Sequence, residues 1–283
     1  MHRVIEFMKK VWGFIKKDKQ LIAGCIGILI LFLMIVFAPV IAPENPHYYG
    51  PDALVAPGEL GHLLGTNHMG QDIFSMIIYG VRTSLKVAVI SALISGILGV
   101  LIGGVAGFFG GKVDTVVSEI NNVFMMLPTF FLILLIVALF GNSITNVMIV
   151  IGITTWPSNA KLMRAQALSI RERTYVNAAK ALGESNTQIL FKYIIPNGIF
   201  PVIANTTMGM SNAILTEAGL SFLGLGDPNI ISWGQMIYEG KSYITSAWWI
   251  SVFAGIAIIL TVLVFYLLGD GLNNVLNPKS GRK

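Results

Sequence analysis

The residues of this chain that could do chemistry are few, and their spacing does not suit it. "AGFFGGKV" has the look of a phosphate loop, but Ala106 stands where the first glycine is required and Val113 where Ser or Thr should follow Lys112. "GMSNA" fails as a nucleophile elbow, since Ala213 replaces the closing glycine. "GLGDPN", Gly224 to Asn229, lacks the third glycine of a dinucleotide fingerprint and follows an apolar segment in place of a strand. The four histidines, His2, His47, His62 and His68, are scattered, and the single Cys25 cannot build a disulfide framework or a cysteine metal site. A sequon at Asn205 lies inside an apolar segment and is discounted. No catalytic, cofactor or metal site is expected from these residues.

What remains is uncharged polarity inside apolar runs. Asn205, Thr206, Thr207, Ser211 and Asn212 cluster in one run, with Asn205 and Asn212 on nearly the same helical face. Asn205, Thr206, Ser211 and Asn212 could line a translocation pathway, or could simply bond one helix to another. A second set, Ser91, Ser95, Gly99, Gly103 and Gly107, recurs every four residues and reads as a surface for close helix approach. Carboxylates avoid the centres of the apolar runs: Glu119 and Glu217 lie near run ends. A proton relay through this chain is therefore disfavoured, while sodium sites built from backbone carbonyls stay open.

The elements that must position these residues are membrane helices. The chain has 283 residues, 54% hydrophobic and 12% charged, with a mean hydropathy of +0.74, far from the balance of a soluble domain. Six runs reach or approach the length of about 20 residues that crosses a bilayer: Leu21 to Ile41, Val87 to Phe109, Val116 to Phe140, Ile144 to Ala160, Gly198 to Phe222 and Trp249 to Leu268. The first is too long for a signal-peptide core and is expected to stay uncleaved. With six alternating spans, sixteen of the nineteen Lys and Arg residues fall on one side, which the positive-inside rule makes cytoplasmic, with both termini. The cations sit beside apolar runs without interleaved aromatics, so nucleic-acid binding is excluded as a function. Trp248 and Trp249 read as interfacial anchors. Residues 1–20 predict an amphipathic helix on the cytoplasmic membrane surface, residues 21–270 an all-α domain of six transmembrane helices, and residues 271–283 a cytoplasmic tail.

Between the fourth and fifth runs lies the most polar long segment, "YVNAAKALGESNTQILFKYIIPN". Tyr175, Ala178, Ala179 and Leu182 follow helical spacing and predict one small apolar face, with Asn177 and Lys180 beside it. Gly183 can end that helix with positive φ. Ser185 and Gln188 form a capping-box pattern that starts a second turn over Ile189 to Ile194, and Pro196 is expected to end it. A helix-turn-helix knob of this kind suits a groove on another protein; a plain connector between spans is the other reading.

"NAAKALG", nine residues and "YIIP" resemble the cytoplasmic EAA loop of ABC importer permeases, with Ala178, Ala179, Gly183 and Pro196 in register. Asn177 stands where Glu is usual, Tyr193 where Ile is usual and Ile195 where Leu is usual. "HLLGTNHMGQDIFSMIIYGVRTSL", "TEAGLSFLGLGDPNIISWGQMI" and "LLGDGLNNVLNPK" resemble, in order, segments of the second permease of the dipeptide/oligopeptide/nickel importer family. The resemblance implies a type I importer permease of a bacterial plasma membrane. It implies a homologous permease as partner, two cytoplasmic ATPase subunits that bind ATP and Mg, and an extracytoplasmic substrate-binding protein. Residues 171–196 would then be the coupling loop, with Tyr175, Asn177, Ala178, Ala179, Leu182, Gly183 and Pro196 at the ATPase. Phe222, Leu223, Leu225, Asp227 and Trp233 would lie at the outer gate or the binding protein. The same resemblance leaves dipeptide, oligopeptide and metal-complex substrates open. A self-sufficient ion-coupled carrier or channel, and a non-transporting scaffold, are the competing functions.

Overall fold

A computed structural model describes residues 18–276. The expected amphipathic N-terminal helix and the end of the tail therefore lie outside the described residues. The long helices are α1 (Lys19–Ile41), α2 (Ile73–Phe109), α3 (Gly111–Met126), α4 (Thr129–Phe140) and α5 (Ile144–Ile170). They are followed by the short α6 (Thr174–Ala181), α7 (Asn186–Ile189) and α8 (Ile195–Gly198), then by α9 (Phe200–Leu220), α10 (Trp233–Gly240) and α11 (Trp249–Leu276).

Three of these, α1, α2 and α11, are long and apolar enough to cross a membrane. The third expected span, Val116 to Phe140, is not one helix: α3 and α4 meet at an 84° bend. Its cause is Pro128, which caps α4 and holds Leu127 extended, as the residue before a proline prefers. The pair counts as a fourth crossing if the bend is one broken span. Helices α5 and α9 have the length but are less apolar, because each turns a polar face toward the other. The second expected span begins earlier than Val87, at Ile73, where Asp72 caps the helix through Ser75 N at 2.8 Å.

The stripe expected for close approach seats α5 along α2. A Cβ at Gly99 or Gly103 would collide with Asn159 and Ala160, and one at Gly107 with Arg164 O. Ser91 Oγ donates to Met148 O at 2.9 Å. The pairing fixes the two helices parallel, both ending beside the segment from Arg171 to Gly198. That basic end carries Lys112, Lys161, Arg164, Arg171 and Lys192.

The opposite, loop end is a built structure. Residues 43–72 fold back through a Thr66–Asp72 bridge, and Trp249 Nε1 donates to Thr66 O at 3.0 Å. Trp249 is thus 6% exposed and pins the loop, while its neighbour Trp248 is 47% exposed. The interfacial-anchor expectation holds no further for Trp249, since a buried indole N–H seeks a protein acceptor.

Candidate functional site

Helices α2, α5 and α9, with the bend between α3 and α4, enclose a cavity of about 380 Å³. Among the expected pathway residues Asn205, Thr206 and Asn212 line it. Ser211 does not: its Oγ donates to Val262 O of α11 at 3.0 Å, on the packing side of α9. The facing wall is α5, where Thr154, Thr155, Ser158 and Asn159 surround Pro157. Pro157 lacks the N–H that would bond the preceding turn, and Thr154 Oγ1 donates back to Val150 O at 2.7 Å.

Asn159 joins three helices. It is 3% exposed, donates through Nδ2 to Ser95 Oγ at 3.0 Å, and accepts at Oδ1 from Asn205 Nδ2 at 2.8 Å and Thr206 Oγ1 at 3.3 Å. Among the described residues no charged side chain lines the cavity. Its amides and hydroxyls can exchange hydrogen bonds with a polar solute without holding an ion tightly. Reading the sequence missed Asn159 and the α5 wall, although Thr154, Thr155, Ser158 and Asn159 clustered at a proline in the least apolar run were a visible signal.

At the basic end the knob is assembled as a unit. Gly183 closes α6 at φ +82°, which glycine adopts without strain. Ser185 and Gln188 make the reciprocal capping box. The buried face of α6 is Val176 and Ala179, packed with Ile189, Leu190 and Ile194. Ala179 therefore does not belong to the outward face, a correction that follows from helical phase. Tyr175, Asn177, Ala178, Leu182 and Gly183 are exposed, Leu182 to 85%. Pro196 does not end the second turn. A π-turn over Leu190–Ile194 shifts the bonding frame, Ile195 N reaches Leu190 O, and Pro196 enters the first turn of α8. Glu184 Oε1 accepts from Lys192 Nζ at 3.0 Å and Tyr193 Oη at 2.8 Å. Those two donors, Lys192 first, hold its carboxyl below the ordinary glutamate range.

The outer-gate residues separate. Phe222 and Leu223 are exposed, and Leu225 is half-buried. Asp227 Oδ2 accepts from Ile144 N at 3.2 Å, tying this loop to the start of α5. Trp233 is 1% exposed and donates to Ile77 O at 3.1 Å; it is a core anchor and offers no surface to a partner. Glu217, buried in α9, accepts from Ser221 Oγ at 2.9 Å and Ser232 Oγ at 2.8 Å, closing the loop onto its helix.

The family model described as binding-protein-dependent transport system inner membrane component matches residues 99–282. This chain belongs to that family. It is the membrane-embedded permease of an ATP-driven importer. The N-terminal domain described for oligopeptide transport permease C matches residues 6–57. The dipeptide transport system permease protein DppC of Alkalihalophilus pseudofirmus is 37% identical over 94% of this chain and 88% of its own length. DppC of Escherichia coli K12 is 39% identical over 96% of this chain and 93% of its own. The probable D,D-dipeptide permease DdpC of the same strain is 34% identical over 97% and 92%. The inward-facing methionine transporter MetNI gives a TM-score of 0.58 at 18% identity, covering 71% of this chain and 96% of that one, which bears on the fold alone. Membership implies ATPase and substrate-binding partners.

Proposed function

We propose that this permease forms half of the pathway for dipeptides or similarly short peptides. It pairs with a homologous permease, sits in a bacterial plasma membrane with six crossings and both termini cytoplasmic, and holds no cofactor of its own. Two ATPase subunits bind ATP and Mg and receive the knob at 171–196. The substrate reading is supported by relatives named as dipeptide permeases over nearly the whole chain. Coupling rests on one observation: α6 is locked inward by Val176 and Ala179 while Ala178 and Leu182 face outward and Tyr175, its ring tilted against Tyr193, stays exposed beside them.

Force applied to that outer face reaches α5 and α9 because the knob packs on both. Buried Met163 and Ala167 of α5 and Val202 of α9 share its core cluster. Closing of the ATPases can then tilt the two walls of the neutral cavity and alternate its access. In the assembled transporter, Leu182→Glu is expected to abolish peptide-stimulated ATP hydrolysis and uptake while leaving the thermal stability of this chain unchanged. Uptake that survives Leu182→Glu, or uptake by this chain alone in vesicles without ATP, overturns the coupling reading.

A further inference from the structure

Toward the basic end the neutral cavity is followed by a second one of about 210 Å³. On α5 the first cavity takes residues as far as Asn159, and the second takes Ala160, Lys161 and Arg164. On α3 the first takes Phe124 and Met125, and the second takes Ser118, Asn121 and Asn122. Both helices thus carry the cavities in the same order, neutral first and cationic second.

The two cations of the second cavity differ in commitment. Arg164 is clamped by Asp114 through Nε and Nη2. Lys161 is exposed and makes no ion pair or hydrogen bond among the described residues. Of the carboxylates on α3, Asp114 is taken by Arg164, and Glu119 is exposed and outside the lining. A lysine at the basic end satisfies the charge rule for orientation from any face of its helix. That rule does not require a free ammonium in a recess that continues a polar cavity.

The geometry points to an oxyanion subsite at Lys161, flanked by Ser118 and Asn122, that receives the carboxylate of a transported peptide as it leaves the neutral cavity. This inference rests on the peptide reading above. The neutral cavity offers partners for peptide amides but no counter-charge for a terminal carboxylate. The Lys161 ammonium, two residues beyond Asn159 on α5, supplies it as a charge-assisted hydrogen-bond donor. The attraction draws the solute toward the basic end without a deep well, since Lys161 remains exposed and screened. A lipid phosphate has the same chemistry at that depth and is the competing source.

The test uses the complete transporter with its binding protein, reconstituted once in phosphatidylcholine and once with added anionic lipid. Uptake of a dipeptide and of its C-terminal amide is compared for the unmodified chain, Lys161→Gln and Lys161→Arg. Dividing each variant by the unmodified transporter cancels the binding protein's own preference. Lys161→Gln is expected to lower the acid-to-amide uptake ratio about tenfold in both lipids, the effect of one lost charge-assisted bond, and Lys161→Arg to restore it. An unchanged ratio overturns the subsite. Equal losses for acid and amide confined to anionic lipid assign Lys161 to a lipid phosphate and overturn it too. If Lys161→Gln fails to assemble, Asn122→Asp at the exposed rim must lower the same ratio, or the subsite is wrong. An unmodified transporter that carries another solute and neither peptide form removes the peptide reading itself, a distinct failure.

Discussion

Asn159 of α5 and Asn205 of α9 meet across the neutral cavity, Asn205 Nδ2 donating to Asn159 Oδ1 at 2.8 Å. Since α5 and α9 flank the knob in sequence, their relative position sets the shape of the cavity. The bond is one that a tilt of α9 would break and a return would remake.

A double-mutant cycle of Asn159→Ala and Asn205→Ala, read by thermal unfolding of the purified complex, is expected to give a coupling of about 0.5–2 kcal/mol. Asn159→Ala alone should cost more than Asn205→Ala alone, because Ser95 also loses its partner. Additive effects within error would mean that the two side chains do not interact.

The stripe on α2 makes a graded prediction. Ser91→Ala removes one donor to Met148 O and is expected to cost about 1 kcal/mol or less. Gly103→Val places a branched side chain against Ala160 O and is expected to cost about 3 kcal/mol or more, since a backbone cannot step aside as a side chain can. Equal thermal shifts for the two variants would contradict the parallel seating of α5.

The stripe was legible because its period of four is a property of one helix, and any helix presenting it must be approached closely. Gly183 and the Ser185–Gln188 box were legible for the same local reason. The inward face of α6 was not. Tyr175, Ala178, Ala179 and Leu182 look like one face by residue type, yet Val176 and Ala179 turn inward because Ile189 and Ile194 arrive from the next turn. Trp233 was misread for want of its acceptor, Ile77 O, 156 positions away. The bend after Met126 was marked by Pro128 but hidden by the apolar residues on both sides. For α6 and Trp233 the deciding partner lay outside the local pattern; for the bend it was Pro128 itself, masked by its apolar neighbours.

Glu184 gives a pH-dependent prediction. Its carboxyl is held below the ordinary glutamate range by Lys192 and Tyr193, so the stability it lends is fully present above the unfolded value near 4.3. That contribution is lost as pH falls through the lower folded value. Hydrogen exchange of amides 185–195 should therefore be faster in Glu184→Gln than in the unmodified chain at neutral pH. The difference should shrink as pH falls below about 4. A difference that persists undiminished in acid would show that the side chain acts by shape and not by charge.

Glu217 is the ionisable residue most deeply placed in α9, and its use is decided by which atoms touch it. One oxygen, Oε1, accepts from both Ser221 and Ser232, so the carboxyl serves as an acceptor that joins the end of α9 to the loop before α10. Gln keeps that acceptor with nearly the same shape, and Glu217→Gln is expected to shift stability by less than about 1 kcal/mol with uptake intact. Leu removes it and strands two buried hydroxyls; Glu217→Leu is expected to cost about 1–3 kcal/mol and to expose the Phe222–Gly226 loop to protease. A relay of protons would show the opposite pattern. Glu217→Gln would then stop uptake at every pH, while the loop stayed protected.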